Sequence, residues 1–243
     1  MPIVATGRIG TIAAARKHFG KGPIINKWTA QPSIPTIARS RLPRRLSQLY
    51  LGLLLYGFSD ALLVRGGLGL SPWDVLHQGL ARHSAISIGQ WVNVVGLVVL
   101  LLWIPLRQRP GVGTVSNVIV IGLALDASLA VLSVPRGLPT RTAYLVVGVV
   151  LNAIATAAYI GARFGPGPRD GLMTGIAARG HSIRVVRTVL EVTVLAIGWL
   201  LGGTVGIGTA VYAVGIGPLA HVLLPLLAVR ESQLALAEPI LAT

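Results

Sequence analysis

The sequence predicts an all-α fold: a polytopic transmembrane helix bundle of about six spans, arranged as two inverted three-helix repeats, each with a short interfacial or re-entrant helix. Three observations carry this. Six apolar runs are long enough to cross about 30 Å of hydrocarbon. Only 12% of the 243 residues are charged and 53% are hydrophobic, whereas soluble domains carry about 25% charged residues. The third is an internal repeat at a shift of about 96 residues, the kind of self-similarity that marks a duplicated architecture.

The chain opens on a basic region. Residues 1–40, with the arginines that follow, carry nine Lys and Arg before residue 46, five prolines and no acid. Neither an apolar run nor a cleavage site accompanies them, which excludes a signal peptide. The expectation is a disordered basic N-terminal tail over 1–40, held in the cytoplasm; the alternatives are contact with anionic lipid or an extension from an upstream start codon. A first transmembrane repeat follows over 41–134 and a second over 135–229, with a short C-terminal tail at 230–243.

The six spans are expected near 46–64, 88–106, 112–134, 142–162, 188–203 and 207–228. Between them, 71–87 and 167–182 read as helical but too short and polar to cross. The charge of +14 is distributed as membrane flanks rather than as a nucleic-acid patch. Sorted by side, 17 of the 21 Lys and Arg fall with the N-terminal tail and 4 opposite. By the positive-inside rule both termini are cytoplasmic, with Arg109 and Gly137 on opposite faces.

The repeat aligns Leu42, Pro43, Arg45, Gly52, Gly69, Pro72 and Asp74 with Leu138, Pro139, Arg141, Gly148, Gly165, Pro168 and Asp170. After a gap of one residue, Ser87, Gly111, Gly113, Thr114 and Gly122 meet Ser182, Gly206, Gly208, Thr209 and Gly217. Three spans per half is an odd number, so the halves enter the membrane in opposite senses. That architecture is common in secondary transporters, which bind substrate where the repeats meet.

Each motif has a structural and a functional reading. Ser71, Pro72 and Asp74 form a helix start: Ser caps, Pro occupies the first turn and Asp reaches back to unpaired amides. Pro168, Arg169 and Asp170 repeat it behind a glycine. Both starts either cap short helices or present free amides to a gate or an anion. Gly111, Gly113 and Thr114, like Gly206, Gly208 and Thr209, open the third and sixth spans. They allow close packing, or the threonines bind a ligand.

Ionisable groups within apolar runs are costly and therefore candidate substrate or proton-coupling residues: Asp60, Asp126, Glu191 and His221. Asp126 and His221 are repeat partners about 15 residues into their spans, at mirrored depths, and both are expected to face the bundle interior. Glu191 also reads as a plain partner of Arg187 one turn away.

No catalytic residue is assigned and no enzyme is expected, since neither a phosphate-binding glycine loop nor HExxH is present. There is no cysteine, and no metal or other cofactor is called for. The partners expected are the lipid bilayer and a small-molecule substrate, with no nucleic acid. Oligomeric state is open. The leading functional reading is a small secondary transporter or exporter of a small molecule. The alternative is a non-transporting membrane accessory or scaffold protein assisting a partner.

Gly69-Leu-Ser-Pro-Trp-Asp-Val-Leu76, Gly167-Pro-Arg-Asp-Gly-Leu-Met173, Arg187-Thr-Val-Leu-Glu191 and Gly206-Ile-Gly-Thr209 carry a family resemblance. Over about residues 41–229 the chain resembles the YczE branch of the YitT/YczE group of bacterial membrane proteins. The resemblance implies a bacterial inner (plasma) membrane protein. It implies no substrate and no catalytic residues.

Overall fold

A computed structural model describes residues 42–229, and the tails at 1–40 and 230–243 lie outside the described residues. These residues form eight α-helices and no strand: α1 (Leu42–Gly66), α2 (Pro72–Arg82), α3 (Ile88–Leu106), α4 (Val112–Val131), α5 (Leu138–Gly161), α6 (Pro168–Ala177), α7 (Ile183–Leu200) and α8 (Ile207–Leu227). Five of them, α1, α3, α4, α5 and α8, are long and apolar enough to cross a membrane by length and composition. The chain is a polytopic helical membrane protein.

The expected fifth span differs from the prediction. α7 begins at Ile183, five residues before the apolar run expected at 188, because the turn at Gly180–Ser182 ends there. Its first turns therefore contain Arg184, Arg187 and Glu191, and these charges separate it from the five strongly apolar helices. The two short helices fall where the polar stretches placed them, at Pro72–Arg82 and Pro168–Ala177.

Helix starts in the two parts of the chain correspond. Leu42 and Pro72 match Leu138 and Pro168, and Ile88 and Val112 match Ile183 and Ile207. α1 and α5 form the centre, packed on each other, with α4 against α1 and α8 against α5. Small residues allow the close approach: a Cβ on Gly57 would lie 2.6 Å from the Ile121 carbonyl oxygen, so α4 passes directly over it. Leu49, Leu53, Tyr56, Ile121 and Tyr159 fill one core, and Leu63, Leu145, Val149, Tyr212 and Ile216 another. Outward-facing Leu101, Leu123, Val146 and Val214 remain exposed, as lipid-facing positions do.

Hydrogen bonds between the halves come in exchanged pairs. Near the start of α1, Arg45 Nε donates to the Ala162 carbonyl just past the end of α5 (3.1 Å). Near the start of α5, Arg141 Nε donates to the Gly66 carbonyl at the end of α1 (2.7 Å). Two helices whose beginnings each hold the other's end run antiparallel. The Gly113 amide donates to the Phe164 carbonyl (2.9 Å) and the Gly208 amide to the Leu68 carbonyl (2.8 Å). Unpaired carbonyls at helix ends are expensive in lipid, and cationic side chains at those ends also complement the helix dipole.

Glycine is required at two equivalent turns. Gly69 and Gly165 have φ of +125° and +120°, where a side chain is strained. A Cβ at either would also come within 2.8 Å of a threonine hydroxyl, Thr209 for the first and Thr114 for the second. These turns aim the first residues of α2 and α6 into the bundle.

Candidate functional site

The first turns of α2 and α6 approach a cavity of about 70 Å³, several times the roughly 15 Å³ that one water needs. Trp73, Asp74 and His77 line it from α2 and Arg169 from α6. Tyr56 and Asp60, one turn apart on α1, face it together. Val92, Val95 and Val99 of α3 supply an apolar wall.

The cavity lies on the α3 side because the other side is filled. α7 packs on α2 so closely that a Cβ on Gly198 would meet the Leu76 backbone, and one on Gly79 the Gly198 carbonyl. On the α3 side Trp103 lies across Gly171, and its indole N–H donates to the Pro168 carbonyl (3.0 Å).

Around the cavity runs a polar network buried in an apolar bundle. Asn152, fully buried on α5, donates to Asp60 Oδ1 (2.8 Å) and Ser59 Oγ (2.9 Å), and its own carbonyl accepts from the Tyr212 hydroxyl (2.9 Å). Arg169 donates to the Tyr56 hydroxyl, and its guanidinium lies 5.7 Å from that ring's centroid, close enough for a cation–π contact. The neighbouring Asp170 accepts from the Tyr159 hydroxyl (2.9 Å). Among the described residues no ion pair joins Arg169 to Asp60 or Asp74. A half-buried guanidinium and a buried carboxylate line one cavity without closing on each other.

Asp74 does not reach for amides as the sequence suggested. It accepts the Ser71 hydroxyl and faces His77 Nδ1 at 3.3 Å, while Ser71 Oγ accepts the Asp74 amide at 3.2 Å. The cap and the histidine thus occupy both carboxylate oxygens. Asp60 differs: among the described residues only Oδ1 has a hydrogen-bond partner. The Trp73 indole N–H is buried with no acceptor among the described residues.

Of the sequence candidates, Asp60, Asp74 and Arg169 come together here; others stand elsewhere. Asp126 caps α3: its carboxylate accepts the Ser87 hydroxyl and the Gly89 amide (2.9 Å). Glu191 pairs with Arg187 at 3.0 Å on an exposed face of α7. His221, expected to face inward, is exposed on α8. The mirror fails there because α3 covers α4 whereas α7 makes no comparable packing on α8. Thr114 donates to the Pro166 carbonyl (2.8 Å) and accepts the Gly111 amide (3.2 Å). Thr209 likewise accepts the Gly206 amide (3.3 Å). Both glycine-threonine motifs therefore bind backbone at helix starts.

Asp126→Leu is accordingly expected to lower stability by about 1–3 kcal/mol, since it leaves an amide and a hydroxyl unpaired at the start of α3. Asp126→Asn retains one acceptor and should cost less. Thermal melts of the purified variants in detergent test this ordering, and equal melts would remove the capping role.

Tyr56, Trp73, His77, Asn152, Tyr159 and Tyr212 were not among the sequence candidates. One signal was present: at the same repeat shifts Tyr56 meets Asn152, Trp73 meets Arg169 and Asn117 meets Tyr212. Polar and aromatic groups recurring at matched positions within apolar helices mark a shared interior.

A polytopic bundle with this repeated order of helices defines a class of small integral membrane proteins. The chain belongs to a family described as a family of unknown function (DUF6198), whose model matches residues 43–225. It is 41% identical to an uncharacterized protein of Haemophilus influenzae over 83% of this chain and 88% of that one. It is 33% identical to the uncharacterized membrane protein YczE of Bacillus subtilis, over 77% of this chain and 88% of the relative. The protein YyaS of the same organism is 27% identical over 72% of this chain and 90% of its own length. No solved structure matches the chain.

Proposed function

We propose that the protein is a small secondary transporter or exporter of a small molecule, with its binding site in the cavity between α1, α2, α3 and α6. One observation carries the reading: Asp60 and Arg169, from different halves, line one cavity without an ion pair between them among the described residues. Burying unpaired charges in a bundle is costly, and such groups mark substrate or ion pathways in membrane proteins. A structural pair would close on itself.

The exchanged Arg45 and Arg141 bonds and the antiparallel α1 and α5 support reading the two halves as inverted repeats. In such folds the site lies where the repeats meet and access alternates around it. The charge distribution supports placement in the bacterial inner membrane with both termini cytoplasmic.

The test compares the small-molecule content of wild-type cells, a deletion strain, and the deletion strain carrying either wild-type protein or Arg169→Gln. At least one compound should accumulate on deletion and return to normal only with the wild-type protein, at equal amounts of protein in the membrane. Full restoration by Arg169→Gln would overturn the role of the cavity and favour an accessory protein that does not transport.

A further inference from the structure

We infer that the cavity binds a small α-amino-acid zwitterion, with Arg169 holding its carboxylate and Asp60 its ammonium group. This rests on the transport reading of the same site and names its substrate class.

The unsatisfied groups are of opposite sign. Arg169 makes one hydrogen bond to a neutral hydroxyl, and a guanidinium has five donors, so most of its capacity is free. Asp60 is 2% exposed and uses one oxygen on Asn152, leaving the other without a hydrogen-bond partner among the described residues. Trp73 is 7% exposed and its indole N–H is likewise unpartnered. Trp73 and Arg169 occupy equivalent positions two residues into α2 and α6. The cavity therefore offers a cation, a neutral N–H donor and a carboxylate oxygen.

Charge selects among ligands. A simple anion would satisfy Arg169 but sit beside the Asp60 and Asp74 carboxylates in a medium of low dielectric, where repulsion is strong. A simple cation would meet the guanidinium. A neutral polar molecule would leave both charges uncompensated. A zwitterion satisfies both, and a guanidinium binds a carboxylate through parallel hydrogen bonds.

Size and surface narrow the class. About 70 Å³ accommodates roughly five to seven water-sized groups, the scale of alanine and too small for an aromatic amino acid. Val92, Val95 and Val99 line the cavity and suit a short apolar side chain. His77 is engaged with Asp74.

The experiment uses the purified full chain in detergent, with alanine, propionate and ethylamine as probes, read by thermal melting and calorimetric affinity. The three differ only in carrying both charges or one. Alanine should raise the melting temperature and bind at least about tenfold tighter than either single-charge probe, a difference of about 1.4 kcal/mol. Asp60→Asn should weaken alanine and erase the preference over propionate; Arg169→Gln should erase the preference over ethylamine. Propionate or ethylamine binding as well as alanine would overturn the zwitterion class while leaving transport of another molecule intact. No stabilisation by alanine would overturn it too. Alanine binding combined with unchanged metabolites on deletion would instead keep the ligand class and remove the transport reading.

Discussion

Asn152→Leu should prevent the protein from accumulating as a folded bundle. Asn152 is wholly buried and serves Ser59, Asp60 and Tyr212 at once. Leucine is of similar size but offers no polar atom, so one hydroxyl loses its acceptor and Asp60 and Ser59 lose a donor. Each buried orphan costs about 1–3 kcal/mol, more where a charge is involved. Losses in one network are not independent, since its members polarise one another. The expected total of several kcal/mol is comparable with the whole stability of many folded proteins. Size-exclusion profiles of the detergent-solubilised variant, beside Asn152→Gln, measure this. A monodisperse Asn152→Leu peak with a wild-type melting temperature would show that the network is not needed for folding.

Gly89→Val should be equally severe for a different reason. Gly89 of α3 and Gly122 of α4 face each other, and a Cβ on either would overlap the other's carbonyl oxygen. Backbone cannot rotate aside as a side chain can. The helices must separate, which also pulls the Gly89 amide from Asp126. Overpacking typically costs about 1–3 kcal/mol and more when backbone is the obstacle. Membrane helices have little hydrophobic drive to compensate, because lipid tails are as apolar as their side chains. Gly89→Ala should lie between valine and wild type. Melting temperatures in that order confirm the crossing, and a stable valine variant would refute it.

Much of the fold was legible because helix starts have chemistry. Ser71-Pro72 marked the beginning of α2, and the repeat carried the equivalent start at Pro168 into the second half. α7 was placed late because hydropathy follows the apolar run, whereas the helix begins at its capping turn. Asp60 could be read from a charge within an apolar run, and Asp74 and Arg169 from the repeated helix-start motif. Asn152, Tyr212 and Trp73 could not be read from composition, since one polar or aromatic residue in a greasy helix has the same composition whether it faces lipid, a neighbour or a cavity; only their matched repeat positions marked them. His221 illustrates the opposite error. Sequence equivalence to Asp126 carried no information about the missing cover of α7 over α8.

Because the Arg45 guanidinium finds its carbonyls on the end of α5, and Arg141 finds its own on the end of α1, neither half can finish alone. During synthesis α1 enters the membrane with its last carbonyls unclasped until α5 has emerged from the ribosome nearly a hundred residues later. The early chain must wait as an incomplete intermediate, shielded by the insertion machinery or by lipid headgroups. Completion is then sudden: insertion of α5 closes both clasps, joining the ends of the central pair in one step. A chain halted before α5 emerges therefore holds the end of α1 without its clasp.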